Sequence, residues 1–593
     1  MFKIFSRNGI RWIRKQDALY LGLLSIIIGL LAGYGALMIR YSIEWISAFW
    51  TGSTSWSAVL HSTPWYFFII APTCGGLLVG CINRWWLDTK QTRLISGVLE
   101  ALSEQGGKIN IRKATGETLA NIIAVGSGAS MGREAPTVGL GAAISSVAGQ
   151  WLHLSEQQMR TLIGCGVAAG IAASFNAPIA GVLFALEVIL ADYAIATFSP
   201  IVLSAVIATV VTRAELGNIS MLVIPQYRLV SGWEIPAYCL LGVFCGLLAT
   251  LMIHRMHALR LAFARFVHQP FLRPAAAGLL LGVCALVIPE VMSIGSHVLN
   301  DLLLENSQSL LFDSSMPLII FLLLLLVMKI ITSMLCAAGG FGGGMIGPSV
   351  FIGATVGAIF GLIYHQLFPD VSASYGAYTL VACGAMMAAM LQAPMSSILM
   401  IFELSGNYHI MLPLMAACII AAMTKRIFGR TSVLTEPLEV RGIEVNWQLE
   451  RSWMRSIKVG SIERKPLPCV SHRLALAQLK HEYINVSKGC LGVLDDDGFM
   501  LGIVTFDDLQ PWLLDSSLDY VVVAAEIANK NVRTIPSDSH LLEAIRIFDT
   551  EKFEQLPIVS AKNPRKVLGM LARHAVFSTY HRMIVEHGER EKM

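Results

Sequence analysis

A charged pair, Arg133-Glu134, interrupts a glycine-rich stretch in an otherwise apolar part of the chain. Ionisable residues at membrane depth are costly and usually face a cavity or a pathway. Gly132 precedes the pair and Pro136 follows it, which predicts a broken helix whose second half begins near Ala135. Because the N–H groups at a helix start favour an anion, the Glu134 carboxylate would fill the anion's place when charged and leave when protonated. The stretch therefore predicts an anion pathway with a built-in gate.

The glycines of this stretch permit a second interpretation. Gly126, Gly128 and Gly132 are small residues of the kind that let membrane helices approach closely. Taken alone, the stretch is equally compatible with helix packing and with an anion gate. Features elsewhere in the sequence are needed to distinguish these two interpretations.

The composition is that of a membrane protein with several spans. Of the 593 residues, 55% are hydrophobic and 14% are charged, and the mean hydropathy is +0.62. Several apolar runs fall short of the roughly 20 residues that a straight span needs, which predicts tilted and interrupted helices. The eleven cysteines have no metal-ligand spacing, so no metal site is expected.

The placement of basic residues predicts the orientation of the chain. Basic residues within 1–17 precede the first apolar run, and a second basic group begins at Lys425, beyond which the chain is polar. The positive-inside rule then places both termini in the cytoplasm. We expect no cleavable signal peptide, an N-terminal segment at 1–17 and a membrane domain at 18–435.

Two segments of the membrane domain recur in the same order in its second half. Residues 132–142 match 344–354, and residues 177–187 match 393–403. Chance similarity between apolar, glycine-rich segments is the alternative, which two ordered matches at a similar offset make the weaker one. Each segment contains one proline at a predicted half-helix start: Pro136, Pro178, Pro348 and Pro394.

Paired broken helices in two halves of a membrane protein indicate a transport site near the bilayer midplane. If the four helix starts converge, their dipoles produce a positive potential without a full positive charge. Such a site binds a halide reversibly, as conduction requires. The repeat therefore favours the anion pathway over simple helix packing.

These motifs resemble those of the CLC chloride channel and transporter family. Residues 132–136 resemble its GREGP or GKEGP motif and residues 344–348 its GxFxP motif, within a similarity that covers about residues 20–435. The resemblance implies a mostly α-helical inverted-repeat fold of up to eighteen segments, several of them broken or re-entrant. It also implies a homodimer in a bacterial inner membrane, with one anion pathway per subunit. The implied roles are gating for Glu134 and anion binding by backbone groups at Gly132, Arg133, Ala135, Met345, Ile346 and Gly347.

The chain departs from the family pattern at four positions. Arg93 replaces a serine whose hydroxyl binds the ion, and Leu434 replaces an anion-coordinating tyrosine. Glu117 replaces a lysine common seventeen residues before the gate, and Val188 replaces the inner glutamate that relays protons in the best-known exchangers. The missing side-chain ligands predict a weaker anion site formed by backbone amides.

Two mechanisms remain open from the sequence. Val188 favours passive, glutamate-gated chloride conduction, whereas Glu117 could serve as a different acid in a chloride/proton antiporter with an atypical proton path. Glu117 also fits a surface or helix-end carboxylate, which is the commoner role, and transport of another small anion is a further alternative. Glu187 and Glu403 recur with the repeat, so we expect both to bind buried backbone groups.

The polar C-terminal region resembles a tandem pair of α/β CBS domains at residues 457–515 and 520–580, followed by a tail at 581–593. In nucleotide-binding pairs a hydroxyl and a carboxylate one helical turn apart hold a ribose, and Thr505 and Asp508 have this spacing. An adenine nucleotide is therefore the predicted ligand of this region. The alternative is a dimerising module that binds nothing, and no cofactor is required in either case.

Other functional classes find less support. No HExxH, Walker or nucleophile-elbow motif is present, so an enzyme is not expected; a ligand sensor that works through its tail is a third possibility. The expected partners are chloride or a similar small anion, protons in the exchanger alternative, the lipid bilayer and a second copy of the chain. No nucleic acid is expected among them.

Overall fold

The computed structural model of the chain forms two compact units, one spanning Met1–Val445 and the other Asn446–Met593. The described residues are 17–52, 64–87, 94–193, 195–217, 224–306, 317–443, 454, 457–485, 490–513, 518–551, 554–561 and 563–590. All but the last residue of the predicted N-terminal segment lies outside them, as does Arg93.

The membrane unit consists almost entirely of helices. Among the described residues, eight helices are long and apolar enough to cross a membrane, which confirms the prediction of a mostly α-helical protein with several spans. The helices are α1 Asp17–Thr51, α2 Trp65–Trp85, α3 Leu94–Glu104, α4 Ile111–Gly126, α5 Glu134–Trp151, α6 Glu156–Phe175, α7 Pro178–Phe184, α8 Ile195–Leu216, α9 Glu234–Phe266, α10 Arg273–Val287, α11 Ser296–Leu303, α12 Leu318–Gly339, α13 Ile346–Leu367, α14 Tyr375–Leu391, α15 Pro394–Ser405, α16 Met411–Ile427 and α17 Glu436–Glu439. Helix α7 continues into a π-helical turn, Ala185–Leu190, and 3₁₀ turns occupy Pro270–Leu272, Pro289–Val291 and Tyr408–Ile410.

Two helix breaks repeat the same local chemistry in the two halves. Asn176 and Gln392 follow helices α6 and α14 in the left-handed conformation, with φ of 57° and 56°. Two residues later Pro178 and Pro394 begin helices α7 and α15, where the missing proline N–H costs no hydrogen bond. The predicted helix starts at these two prolines are confirmed.

The other two prolines, Pro136 and Pro348, lie in the first turns of helices that begin two residues earlier, at Glu134 and Ile346. In both helices the hydroxyl that follows the proline donates to the carbonyl of the first helical residue, at 2.7 Å. The two halves therefore share their local geometry as well as their sequence pattern.

Each half of the repeat supplies a carboxylate to the other half. Glu187 accepts hydrogen bonds from the two backbone N–H groups that follow Pro394, at 3.1 and 2.8 Å. Glu403 accepts them from the two N–H groups that follow Pro178, at 3.0 and 2.7 Å. The prediction that both glutamates bind backbone groups is confirmed, and the partner in each case is a helix start in the opposite half.

Close helix crossings account for several of the glycines. A Cβ atom on Gly141 would lie 2.2 Å from the carbonyl oxygen of Gly166, and one on Gly353 would lie 2.4 Å from the carbonyl oxygen of Ala382. Gly126 also agrees with the helix-packing interpretation, because a Cβ added at this position would lie 2.7 Å from the side chain of Ile46. Small residues thus allow the backbones of these helices to approach.

The second unit contains two three-stranded sheets, ordered β1-β2-β3 and β4-β5-β6. In each sheet the first pair of strands is parallel and the second pair is antiparallel. The elements are β1 Cys469–Ser471, α18 Leu476–Asn485, β2 Cys490–Leu494, β3 Met500–Thr505, α19 Phe506–Leu509, α20 Ala524–Ile527, β4 Ile535–Pro536, α21 Leu541–Glu551, β5 Gln555–Ser560, β6 Asn563–Ala572 and α22 Arg573–Arg590. Two 3₁₀ turns, Val459–Ser461 and Gln510–Trp512, complete it.

In this second unit, the segment at the start of each half packs into the hydrophobic core of the other half. Val459 and Ile462 pack into the core around β4, β5 and β6, whereas Ala524 and Ile527 pack into the core around β1, β2 and β3. The predicted boundaries at 457–515 and 520–580 therefore follow the order of the chain, while each core also contains a segment from the other half. Helix α22 runs through the predicted start of the tail at residue 581.

We expect Glu187→Ala to destabilise the membrane unit, because it leaves two N–H groups of helix α15 without their acceptor. Losing hydrogen bonds to a charged group should cost about 2 kcal/mol or more, seen as a lower midpoint of thermal unfolding of the purified protein, followed by tryptophan fluorescence. Glu215→Ala, which removes an exposed carboxylate from the same unit, is the matched control. An unchanged midpoint in Glu187→Ala would contradict the capping role.

Candidate functional site

The two copies of the first repeated segment meet through their backbones. Gly132 and Gly344 form an isolated antiparallel bridge, in which the N–H of Gly132 donates to the carbonyl of Gly344 at 2.8 Å and the reverse bond measures 3.1 Å. Arg133 and Met345 are the residues immediately before helices α5 and α13. The starts of these two helices, one from each half, are therefore held side by side.

The carboxylate of Glu134 folds back over the start of its own helix. The side chain is 1% exposed, and its carboxylate accepts hydrogen bonds from its own N–H and from the N–H of Gly347. Oε2 has no hydrogen-bond partner among the described residues. A Cβ on Gly132 would lie 1.9 Å from Oε2, so glycine at position 132 makes room for the carboxylate. The carboxyl group of Glu134 thus occupies the place that a helix start offers to an anion.

A cavity of about 90 Å³ opens beside these helix starts and is bordered by Ala135 and Met345. We call it the arginine-lined cavity, because two guanidinium groups that the sequence analysis did not single out also border it. Leu434, at the position where the family resemblance places a tyrosine ligand, borders it as well, and so does Leu94, the neighbour of Arg93. The lining residues are Leu94, Ile95, Ser96, Met131, Ala135, Met256, Arg260, Ala337, Gly340, Phe341, Gly343, Gly344, Met345, Val433, Leu434, Pro437 and Arg441.

Leu94 and Leu434 form an apolar side of this cavity, and a hydrogen bond joins the chain segments that carry them. The hydroxyl of Ser96 donates to the carbonyl of Leu434 at 2.7 Å. Leu434, which the family resemblance places opposite the tyrosine ligand, lines the cavity. Arg93, which the sequence alignment placed opposite the serine ligand, lies outside the described residues, and its neighbour Leu94 borders the cavity.

On its other side Glu134 borders a second, apolar cavity of about 20 Å³. Gly347 and Ile294 line it together with aliphatic and aromatic side chains. Glu134 therefore faces the apolar cavity while its neighbour Ala135 faces the arginine-lined cavity. The carboxylate lies at the boundary between two spaces that could form one pathway if it moved.

The remaining predicted anion-site residues have different surroundings. The side chain of Arg133 borders a separate cavity of about 20 Å³ together with Arg40 and Thr137, so only its backbone is near the paired helix starts. Ile346 is fully buried at the first position of helix α13 and borders neither of the cavities next to Glu134.

The expectation that all four helix starts converge on one anion site is wrong for two of them. The first N–H groups of helices α7 and α15 already donate to Glu403 and Glu187. These starts pack against one another as a pair of their own. A bound carboxylate satisfies their donors, and they have none left to offer chloride.

A third space, of about 130 Å³, lies among helices α3, α4 and α5. Its lining includes two carboxylates, Glu100 and Glu117, and two ammonium groups, Lys108 and Lys113. Glu117 accepts a hydrogen bond from the N–H of Leu94 at 3.0 Å. We call this third space the Glu117 cavity. Leu94 borders both this cavity and the arginine-lined cavity, so the residue that binds Glu117 also borders the space beside the helix starts.

In the second unit, Thr505 and Asp508 bind each other. The hydroxyl and the N–H of Thr505 both donate to Asp508 Oδ2, at 2.6 and 2.8 Å, in a capping box at the start of helix α19. The spacing on which the nucleotide prediction rests is therefore also that of a helix cap. Nucleotide binding at these residues stays a prediction.

Comparison with known proteins places this geometry in a family. The family described as voltage gated chloride channel matches residues 75–426, and the CBS domain family matches residues 523–582. A relative from Ralstonia nicotianae, a "Putative chloride channel protein ClcB-like", is 33% identical over 385 residues, which cover 64% of this chain and 87% of the relative.

Solved structures show the same fold. A slow cyanobacterial Cl⁻/H⁺ antiporter aligns with a TM-score of 0.63 and 20% identity, covering 71% of this chain and 97% of its own. A eukaryotic CLC transporter aligns with a TM-score of 0.59 and 18% identity, covering 94% of this chain and 98% of its own. Together with the paired helix starts and the inverted repeat, these matches identify the chain as a membrane protein that belongs to the CLC chloride channel and transporter family.

Proposed function

We propose that this protein carries chloride across the membrane along a pathway that Glu134 opens and closes. The observation that carries the proposal is the position of its carboxylate, which accepts the Gly347 N–H at the paired starts of helices α5 and α13. A carboxylate and a chloride ion compete for such donors. Transport, and not catalysis, is the activity that family membership supports.

The proposed gate works by exchange of one anion for another. When Glu134 is charged, it occupies the helix starts itself and separates the apolar cavity from the arginine-lined cavity. Protonation, or an arriving anion, weakens its hold on the backbone N–H groups, so the side chain swings away and chloride takes its place. The backbone at Gly132, Arg133, Ala135, Met345, Ile346 and Gly347 would then line the anion's path. Dipoles and N–H groups bind the anion weakly enough for release.

We propose passive conduction as the mechanism, because Val188 leaves no carboxylate at the position of the usual inner proton relay. A second candidate, chloride/proton exchange, is favoured by the Glu117 cavity, which places this carboxylate near the arginine-lined cavity. Among the residues that the structure describes, Leu94 alone borders both this cavity and the arginine-lined cavity, so a proton held at Glu117 would be close to the anion's path. The solved antiporters named above share this fold, and their coupling is a property of those proteins.

The proposal also includes the orientation of the chain in the membrane, its assembly and a ligand of the second unit. Basic residues near both ends of the membrane unit favour cytoplasmic termini in a bacterial plasma membrane. We also propose a homodimer with one pathway in each subunit, and an optional adenine nucleotide at Thr505 and Asp508 in the second unit.

We expect Glu134→Gln to raise chloride flux and to remove its dependence on pH, because the amide mimics the protonated carboxylate. Flux should rise by at least about threefold at neutral pH if the charged carboxylate is the barrier. The measurement is uptake of radioactive chloride into proteoliposomes between pH 4.5 and 7.5. Glu44→Gln, in the exposed ion pair with Arg40, is the control. A wild-type pH profile in Glu134→Gln would argue against the gate, and an absence of flux in the wild type would refute transport itself.

We expect a chloride gradient to drive no proton uptake into vesicles, because Val188 interrupts the usual relay. The test follows external pH with a glass electrode while chloride runs down its gradient in the presence of valinomycin. Robust coupled proton movement would reject passive conduction in favour of the second candidate. In that case Glu117→Gln should abolish proton movement and leave chloride flux, whereas Glu104→Gln, at an exposed position on helix α3, should leave both.

A further inference from the structure

Two buried asparagines hold the loop that leads into helix α13. Asn121 lies on helix α4 and Asn83 on helix α2, and their side chains are 0% and 4% exposed. Nδ2 of Asn121 donates to the carbonyl of Gly342 at 2.6 Å. Nδ2 of Asn83 donates to the carbonyl of Gly340 at 3.3 Å. We call these two side chains the amide clamp, because helices from the first half of the membrane unit use them to bind a loop of the second half.

Asn121 also contacts the loop that precedes helix α5. Its Nδ2 lies 3.4 Å from the carbonyl oxygen of Gly132, which already accepts the N–H of Gly344. One side-chain amide therefore binds a carbonyl in each copy of the repeated segment. Because both neighbours are carbonyl oxygens, it is the NH₂ end of the amide that faces them.

The loop needs such support because its glycines leave the backbone free to turn. A Cβ on Gly343 would lie 2.5 Å from the Cβ of Met131, and one on Gly344 would lie 3.1 Å from the Cβ of Ala135. The close approach of the two halves leaves little room for a side chain at these positions. A glycine backbone rotates more easily than that of any other residue. Packing thus places the most adaptable residues where the two helix starts are held together.

The direction of the Gly342–Gly343 peptide decides which end of its dipole borders the arginine-lined cavity. Gly343 lines this cavity, whereas Gly342 is not among the described residues that line it. The carbonyl and the N–H of a trans peptide point in opposite directions, so the N–H of Gly343 points away from Asn121. That N–H donates to no backbone carbonyl among the described residues. The amide clamp therefore keeps the carbonyl oxygen of Gly342 turned toward helix α4 and out of the cavity wall.

Packing alone does not explain why these two positions carry amides. Oδ1 of Asn121 and Oδ1 of Asn83 are both buried without a hydrogen-bond partner among the described residues. Unsatisfied polar groups are rare in native interiors, and each one calls for an explanation. A leucine of similar size would fill either place without an unsatisfied oxygen. The donors that hold the loop are what the asparagines add.

We propose that Asn121, assisted by Asn83, is a positioning residue for the anion pathway. Without its donor, the buried carbonyl of Gly342 lacks a partner and turns toward the adjoining cavity of about 90 Å³, which is large enough to hold water. Carbonyl oxygens coordinate cations in channels, so an oxygen turned into this wall disfavours chloride. The proposal rests on the chloride pathway proposed above and adds the side chains that keep backbone oxygens away from the anion.

The test is the chloride dependence of flux into proteoliposomes, which yields the half-saturating concentration and the maximal flux separately. Asn121→Leu keeps the volume of the side chain and removes the donor together with the unsatisfied oxygen. We expect the half-saturating chloride concentration to rise by about threefold to tenfold, because the folded protein now presents a carbonyl oxygen to the anion. A role in folding alone would lower the maximal flux and leave the half-saturating concentration unchanged.

Thr118→Val is the matched control. It removes a buried donor from the same helix, three residues before Asn121, where the hydroxyl of Thr118 donates to the carbonyl of Ala114 at 2.9 Å. The half-saturating concentration should keep its wild-type value in this variant.

A second variant keeps the test decisive if Asn121→Leu does not fold. Asn83→Leu removes only the longer bond to Gly340, and the half-saturating concentration should then rise by about twofold. A wild-type value in folded Asn121→Leu, or in Asn83→Leu where that variant alone folds, overturns the amide clamp while leaving the chloride pathway intact. A wild-type protein that carries no chloride overturns the pathway, and the role of the amide clamp with it.

Discussion

Two backbone hydrogen bonds between Gly132 and Gly344 are the constraint on which the membrane unit depends. Backbone outside a helix is tolerated at membrane depth only where its polar groups are satisfied or line a cavity. The Gly132–Gly344 pair meets both conditions, because the glycines satisfy each other and the next residues open onto cavities. The same bonds bring the starts of helices α5 and α13 together. A side chain at position 132 would displace the Glu134 carboxylate from its present place.

Glu134, Glu187 and Glu403 each bind a helix start of the repeat, and their hydrogen-bond partners distinguish two roles. Glu187 and Glu403 each use both oxygens on N–H groups of the opposite half. Glu134 lies over its own helix, and its Oε2 has no partner among the described residues. Carboxylates with both oxygens bound join the halves permanently, whereas one that is only partly bound can be displaced. The three carboxylates bind helix starts through the same kind of hydrogen bond, and what distinguishes Glu134 is that one of its oxygens has no partner among the described residues.

The fold class, the repeat and the place of Glu134 at a helix start could be predicted from the sequence, because each rests on residues close together along the chain. Proline, glycine and a charge within five positions specify a helix start near Glu134. The capping by Glu187 and Glu403 was anticipated, but their partners in the opposite half were not, since pairing across more than two hundred residues leaves no local pattern. Convergence of all four helix starts was a wrong expectation for the same reason. The position of Arg260 beside the cavity could not be predicted, because it lies in an ordinary long helix and its ion-pair partner, Glu436, is distant along the chain.

The reciprocal capping also affects the order in which helix α7 obtains its hydrogen-bond acceptors during synthesis of the chain. The acceptor for the N–H of Ile179 is Glu403, which lies 224 residues further along the chain. At about 5–20 residues per second, a ribosome needs on the order of 10 to 45 s to cover that distance. During this interval helix α7 exists with its first donors uncapped, in surroundings where an unsatisfied N–H costs several kcal/mol. The first half of the membrane unit therefore lacks these acceptors when it leaves the ribosome, and the second half supplies them.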